Sequence, residues 1–366
     1  MSKTQIGHMK LARYPELIES NEFNPIHWDV DPSTVCDHTC HGCPYIYDFE
    51  QYPNGDPMLG VVRLETVKSR RTFLDLAHFE LFLKAARARG GKAITFVGGG
   101  EPTMHPYITE LMLLASDYEF KFGMISHFGR KYGPEFYEAL KKAVWLRVSV
   151  NAATPETYKR HQGRDHFDQA MANMHTFRQY VDAMGAKTRI GFSFLITNDN
   201  YTEIQHAAEI ARLFGAHYIQ YKPIIEVELG KSYEGLWAEI HARLLEAQPV
   251  GDGSFQILDQ FSPRMEELKQ HTQGVYAGKC HVPRFNPKLG ANGTVYTCCE
   301  LAYSKEGEIG NIYELSLDEI LKRARAIHID QGGCPHCWDK KLNTIINAGR
   351  LRDCTFPPES VDQEFV

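Results

Sequence analysis

Residues 33–45 read STVCDHTCHGCPY and place three cysteines, Cys36, Cys40 and Cys43, in one loop. Three thiols suit no common structural purpose. A structural zinc site or a fully protein-ligated iron–sulfur cluster takes four ligands, and a disulfide takes two. The CxxxCxxC spacing leaves two readings open. One is a zinc site completed by a distant residue, with His38 and His41 the nearest candidates. The other is a four-iron cluster on three thiolates, with one iron left for an exchangeable ligand. Metal sites that perform chemistry keep such an open position.

Around this loop the chain alternates between strand-like and helix-like segments. IHWDVDPS reads as a short strand leading into the cysteines. From Pro44 to Arg71 there is no clear periodicity, as in a long functional loop. FLDLAHFELFLKAARARG then has helical period and a glycine stop, and AITFVGGG is a β-rich run. The helices YITELMLLASDY, PEFYEALKKAV, FDQAMANMHTFRQYVDAMG and YTEIQHAAEIARLFG follow. They alternate with the strands FKFGMISHFG, WLRVSVNAA, TRIGFSFLITN and HYIQYKPII. That makes about six β/α units ending near residue 225. Such alternation predicts an α/β fold with a parallel sheet, flanked by helices and wound right-handedly. Its chemistry is expected at the C-terminal ends of the strands. Residues 226–279 change character, with the amphipathic helix LWAEIHARLLEAQ and a further helical piece, PRMEELKQH. Beyond them, FNPKLGANGTVYTCCEL carries a hairpin signal at ANG, and LSLDEILKRARAI is a Ser-capped helix.

Composition narrows the function classes. With 43% hydrophobic and 23% charged residues the chain is of ordinary globular type, and its net charge of −6 predicts no general attraction to nucleic acid or anionic membrane. MSKTQIGHMK lacks the apolar core of a signal peptide, and no apolar run reaches the length of a membrane span. A cytoplasmic location is the expectation. Nine cysteines then suggest metal or redox chemistry rather than a disulfide framework. After Cys43 the next is Cys280, followed by Cys298, Cys299, Cys334, Cys337 and Cys354. Two clusters of cysteines at opposite ends suggest two metal sites. Standing alone, the second would read as a zinc ribbon.

FVGGGEPTMHP puts Gly98, Gly99 and Gly100 at a strand end, followed by Glu101 and Pro102. Glycines there let backbone groups approach a ligand, and Glu101 offers a carboxylate to a cationic amine. CxxxCxxC after the first strand, together with GGGEP after the second, resembles the radical S-adenosylmethionine (SAM) superfamily. The resemblance implies a partial (β/α)6 parallel barrel over residues 26–225. It also implies that the open iron is chelated by the amino and carboxylate groups of S-adenosylmethionine, with the GGGEP segment at the amino group. MISHFG resembles the family's third-strand segment and points to Ser126 as a cosubstrate contact. RVSVNAATPETYKRHQG resembles the fourth-strand pattern R-x-S-x-D-A, pointing to Ser149 and, where the family usually has Asp, to Asn151. Gly42 stands where the family usually has an aromatic residue beside adenine, so Tyr45 or Tyr47 is the candidate for that role.

Behind such a barrel, Cys280, Cys298, Cys334 and Cys337 resemble the ligands of the twitch domain, a shortened SPASM domain with one auxiliary [4Fe–4S] cluster. The organisation implied is a radical SAM barrel at 1–225, a helical insert or linker at 226–279, a small C-terminal twitch domain (β-hairpin plus helix) at 280–345 and a tail at 346–366. Two [4Fe–4S] clusters and S-adenosylmethionine are the implied cofactors, with flavodoxin or ferredoxin as electron donor. A 5′-deoxyadenosyl radical would then take hydrogen from a C–H bond of a small-molecule substrate. The favoured reading is oxidation of an alcohol in a sugar, cyclitol or nucleoside-type metabolite, as in the twitch dehydrogenases of aminoglycoside biosynthesis. The alternatives are an epimerase using Cys299 or Cys354 as hydrogen donor, a peptide maturase, and a structural zinc protein.

Overall fold

The computed structural model describes residues 23–41, 43, 45, 72–224, 233–271, 279–325, 327, 343, 346 and 347. Cys334, Cys337, Cys354, Gly42, Tyr47 and the stretch 46–71 therefore lie outside the described residues. One ten-stranded sheet organises the chain. Seven strands run parallel, each hydrogen-bonded to the next in sequence: β1 (His27–Val30), β2 (Ala93–Phe96), β3 (Lys121–Ser126), β4 (Trp145–Ser149), β5 (Arg189–Ile196), β6 (Tyr218–Pro223) and β7 (Gln256–Asp259). The helices between them are α1 (Leu76–Ala88), α2 (Ile108–Asp117), α3 (Pro134–Leu140), α4 (Pro155–Gln162), α5 (Phe167–Ala183), α6 (Ile204–Leu213) and α7 (Trp237–Ala247). α8 (Phe261–His271) follows β7. This is the parallel α/β architecture that the alternation implies, and it agrees with a partial (β/α) barrel.

Local chemistry accounts for these elements. Asp75 caps α1 by accepting from the His78 backbone N–H at 2.9 Å. The α1 face that repeats every three or four residues, Phe79, Phe82, Leu83 and Ala86, is buried. Trp28 of β1 meets Phe82 edge-on at 4.8 Å. Burying each such side chain contributes roughly 1.5–3 kcal/mol. Thr154 caps α4, Pro155 opens it, and Gly163 closes it at φ 68°.

Three elements go beyond the sequence reading. α4 lies inside TPETYKRHQG, where no helix is marked. β7 places a strand within the 226–279 segment. The C-terminal hairpin does not stand apart: β8 (Lys288–Leu289) pairs in parallel with β1, and β9 (Thr294–Tyr296) and β10 (Glu308–Asn311) extend the same sheet antiparallel. α9 (Leu317–Ala324) then follows, with Ser316 and Glu319 forming a capping box.

The sheet has one apolar and one polar face. On β4, Leu146 and Val148 are buried toward the helices, while Trp145, Arg147 and Ser149 alternate with them and keep some exposure. By the same alternation His27, Asp29, Thr95, Ser193, Gln220 and Lys222 face the interior of the barrel. At the N-terminal end of that interior, aromatic rings lie over glycines of the neighbouring strand. A Cβ on Gly123 would stand 2.1 Å from the Trp145 ring, and one on Gly191 would stand 2.1 Å from Tyr218. These rings form the floor of the lumen. Gly123→Ala should displace the Trp145 ring and lower stability by about 1–3 kcal/mol. Urea unfolding measures the loss, and an unchanged midpoint would contradict the packing.

Candidate active site

The cysteine loop and the glycine turn are joined backbone to backbone. Val97 N–H donates to Val30 (2.9 Å), Gly100 N–H to Ser33 (2.9 Å) and Glu101 N–H to Val35 (2.8 Å). The approach is too close for a side chain, since a Cβ on Gly100 would lie 2.4 Å from the Val35 carbonyl oxygen. From the other side, the end of α4 holds the loop. Thr39 N–H donates to the Gln162 carbonyl at 3.1 Å and His41 N–H to that of His161 at 2.7 Å. The Cys40 thiol donates to Gln162 Oε1 at 2.6 Å. The Gln162 amide in turn donates to the carbonyls of Ser149 (3.2 Å) and Val150 (3.1 Å) at the end of β4. Gln162 thus links one loop thiol to the fourth strand, a role that no local sequence pattern marks.

Cys36, Cys40 and Cys43 are each half-buried. Among the described residues, the His, Cys, Asp and Glu atoms that gather within 4.8 Å include Cys36 with Asp37 and His127, but no group of the three sulfurs. Three thiolate donors in one loop, with no fourth cysteine beside them, are a donor set that would suit an open four-iron site.

Glu101 is 3% exposed and already well supplied with donors. Its Oε1 accepts from Thr103 N–H (3.1 Å), Thr103 Oγ1 (2.8 Å) and Ser126 Oγ (2.6 Å), and its Oε2 from His127 N–H (3.0 Å). The carboxylate therefore ties the end of β2 to the end of β3, and Ser126 belongs to that same network. Pro102 opens the short 3₁₀ turn that presents the Thr103 donors. Asn151 sits in the left-handed region at φ 58°, which asparagine adopts more readily than most residues. Its side-chain oxygen accepts from Leu195 N–H at 2.9 Å. Ser149, on the lumen face, stays partly exposed.

The histidines near the loop, which the sequence leaves without roles, form a layer against it. His127 Nε2 pairs with Asp37 Oδ1 at 2.9 Å, and His38 stacks on His127 with ring centres 3.7 Å apart. His38 Nε2 and His166 Nδ1 are 3.1 Å apart. Burial would lower His127, but the Glu101 and Asp37 carboxylates outweigh it and raise it. Burial and the charge of His127 push His38 down to about 3. His105 is structural, bonded to the Leu74 carbonyl at 2.8 Å.

A buried ion pair joins β1 to the C-terminal strands. Asp31 and Lys288 Nζ are 2.8 Å apart, with side chains 0% and 1% exposed. Tyr303 OH donates to Asp31 Oδ2 at 2.9 Å, and the Gly99 N–H also reaches the carboxylate. Burial works against the Lys288 charge, yet Asp31 raises it above the ordinary lysine range. The Tyr45 ring stands edge-on to Tyr303 at 5.8 Å. Of the C-terminal cysteines that are described, Cys280 is half-buried, Cys298 buried and Cys299 exposed.

Comparison with protein families accounts for this arrangement. Residues 30–211 match the Radical SAM superfamily. The chain carries a radical SAM domain. Residues 280–339 match the SPASM iron–sulfur cluster-binding domain, so this radical SAM protein carries a SPASM domain behind its barrel. Comparison with curated proteins gives no match. The solved structure of Streptococcus suis SuiB bound to S-adenosylmethionine is similar at a TM-score of 0.58 and 13% identity, over 85% of this chain and 66% of SuiB. SuiB bound to its precursor peptide SuiA gives 0.59 and 15%, over 90% of this chain and 74% of SuiB. The anSMEcpe structure with bound AdoMet gives 0.58 and 13%, over 83% of each chain. At these identities the likeness is one of fold. No described helix is long and apolar enough to cross a membrane.

The ion pair makes a quantitative prediction for the radical SAM barrel and its SPASM strands. Asp31→Ala strands a buried ammonium and should cost about 3–5 kcal/mol. Adding Lys288→Met should restore most of that loss. A double-mutant cycle by chemical denaturation tests this, and simply additive losses would contradict the pairing.

Proposed function

We propose that this radical SAM enzyme removes hydrogen from a C–H bond of a small polar metabolite, of sugar, cyclitol or nucleoside type, and oxidises an alcohol to a carbonyl. The observation that carries the reading is the position of the three-thiol loop. It is bonded to the GGGEP turn at the C-terminal strand ends and stands over a lumen lined with polar side chains. Cys36, Cys40 and Cys43 would hold an open [4Fe–4S] cluster, and the Gly98–Pro102 segment, Ser126, Ser149 and Asn151 would border the cosubstrate. Cys280, Cys298, Cys334 and Cys337 would hold a second [4Fe–4S] cluster in a twitch-type SPASM domain. The clusters and S-adenosylmethionine, when bound, supply the one-electron chemistry: reductive cleavage to a hydrogen-abstracting radical and uptake of the second substrate electron. A flavodoxin or ferredoxin is the proposed external donor.

The chain's own residues bind, orient and enclose. The aromatic floor closes one end of the lumen, and the polar walls offer hydrogen bonds to hydroxyl groups. Exclusion of bulk water protects a radical from side reactions. The buried Cys298 suits a cluster ligand, which would leave the adjacent Cys299 outside the cluster. A thiol outside the cluster supports a second reading, epimerisation, in which Cys299 or Cys354 returns hydrogen to the opposite face of the substrate carbon.

Turnover in D2O separates the two. Under the favoured reading the product gains a carbonyl, and Cys299→Ala and Cys354→Ala both continue to turn over. Deuterium at an inverted carbon of the wild-type product, lost in one of the variants, would overturn dehydrogenation in favour of epimerisation.

A further inference from the structure

Among the described residues, the lumen wall formed by β4, β5 and β6 carries basic side chains with no carboxylate partner. Arg147 of β4 and Lys222 of β6 lie on the interior face. The Arg147 guanidinium carbon stands 5.0 Å over the Trp145 ring of the floor. Lys222, opposite Leu195, sits nearer the C-terminal end. Ser149, Ser193 and Gln220 lie in register between the two levels. Arg147 Nε is buried without a hydrogen-bond partner, and so is the Gln220 side-chain oxygen. Among the described residues no carboxylate pairs with Arg147 or Lys222. The neighbouring cations are provided for: Arg189 donates to Gln256 Oε1 at 3.1 Å, and Lys288 is held by Asp31. Burial and the charge of Arg147 push Lys222 well below the ordinary lysine range. Unpartnered buried polar groups are few in native proteins, and each calls for an explanation.

We propose that this wall is an anion subsite, in which a carboxylate or phosphate group of the substrate docks on Arg147 and Lys222 while Gln220 accepts from an adjacent hydroxyl. The proposal rests on the small-metabolite reading for the identity of the occupant. The planar guanidinium matches a forked oxyanion, and an anion bound there favours the protonated form of Lys222, which adds a point charge. An anion held between β4 and β6 leaves the remainder of the substrate to extend toward the ends of β1–β3, where the three-thiol loop stands. The metabolite is thus an acid or a phosphate ester rather than a neutral sugar.

Site-specific labelling tests this without a known substrate. The anaerobically reconstituted protein, free of S-adenosylmethionine, is treated with limiting N-hydroxysuccinimidyl acetate in chloride, phosphate or malonate at equal ionic strength. Acetylation of Lys222 is read by peptide mass spectrometry. Phosphate, malonate or both should protect Lys222 roughly threefold or more relative to chloride, as expected once the anion exceeds twice its Kd. Which anion protects decides between a phosphate and a carboxylate. Protection should vanish in Arg147→Gln and return in part in Arg147→Lys. Equal labelling of the wild type in all three salts, or protection that survives Arg147→Gln, would overturn the subsite. The wild-type comparison needs no variant to fold. It is also independent of radical chemistry, so protection in a protein that forms no 5′-deoxyadenosine would refute the enzymatic reading alone.

Discussion

One buried carboxylate, Asp31, sets the relation between the parts of this molecule. It stands just past the end of β1 and is shared by three elements: Lys288 of β8, the Tyr303 hydroxyl and the Gly99 N–H. Taking two charges out of water costs several kcal/mol per ion, so such a pair persists only where geometry and extra hydrogen bonds compensate. Here the compensation comes from the elements that must be held in place. The parallel pairing of β8 with β1 attaches the SPASM strands to the barrel sheet at the strand that feeds the cysteine loop. Tyr303 packs so closely on Gly99 that a Cβ there would lie 2.9 Å from its ring. The glycine run therefore answers two neighbours at once: the cysteine loop at Gly100 and the SPASM domain at Gly99.

From this junction the site follows by short steps. The loop is bonded on one flank to the glycine turn and on the other to the end of α4, so its three thiols are positioned by backbone rather than by one another. Glu101 and Ser126 brace the strand ends beneath it. Gln162 links Cys40 to β4, and the Asp37–His127 pair, with His38 stacked on it, covers the side of Cys36. Below lies a lumen whose floor is aromatic and whose walls are polar. Such an interior stabilises the fold less than an apolar core of the same size. It therefore reads as space kept for a polar ligand.

Much of this was legible in the sequence, and the rest was not, for reasons of range and polarity. The α/β alternation shows because apolar periodicity is local: Phe79, Phe82, Leu83 and Ala86 repeat on one face of α1. The two motifs show because their spacing is itself the chemistry. α4 escapes notice because its buried face is largely polar, with Thr157, Tyr158, His161 and Gln162. β7 is half-buried at all four positions, with no alternation to read, and β10 carries a single large apolar residue, Ile309. The Asp31–Lys288 pair joins residues 257 apart in sequence, and no local pattern reports such a contact. The left-handed backbone of Asn151 is likewise set by its surroundings and carries no local sequence signal. Glu101 offers the opposite lesson. Its residue type suggests a ligand contact, whereas its surroundings show a brace already accepting four hydrogen bonds.

The central claim is that the three-thiol loop carries the radical-generating site, separate from the metal of the SPASM domain. It is tested most directly by 5′-deoxyadenosine formation from S-adenosylmethionine in anaerobically reconstituted, dithionite-reduced protein, with iron measured in the same samples. The account predicts that the wild type forms the nucleoside. The variant with Cys36, Cys40 and Cys43 all replaced by Ala should form none while keeping the iron of the C-terminal site. Equal nucleoside formation by that variant, or none from an iron-loaded wild type, would contradict it.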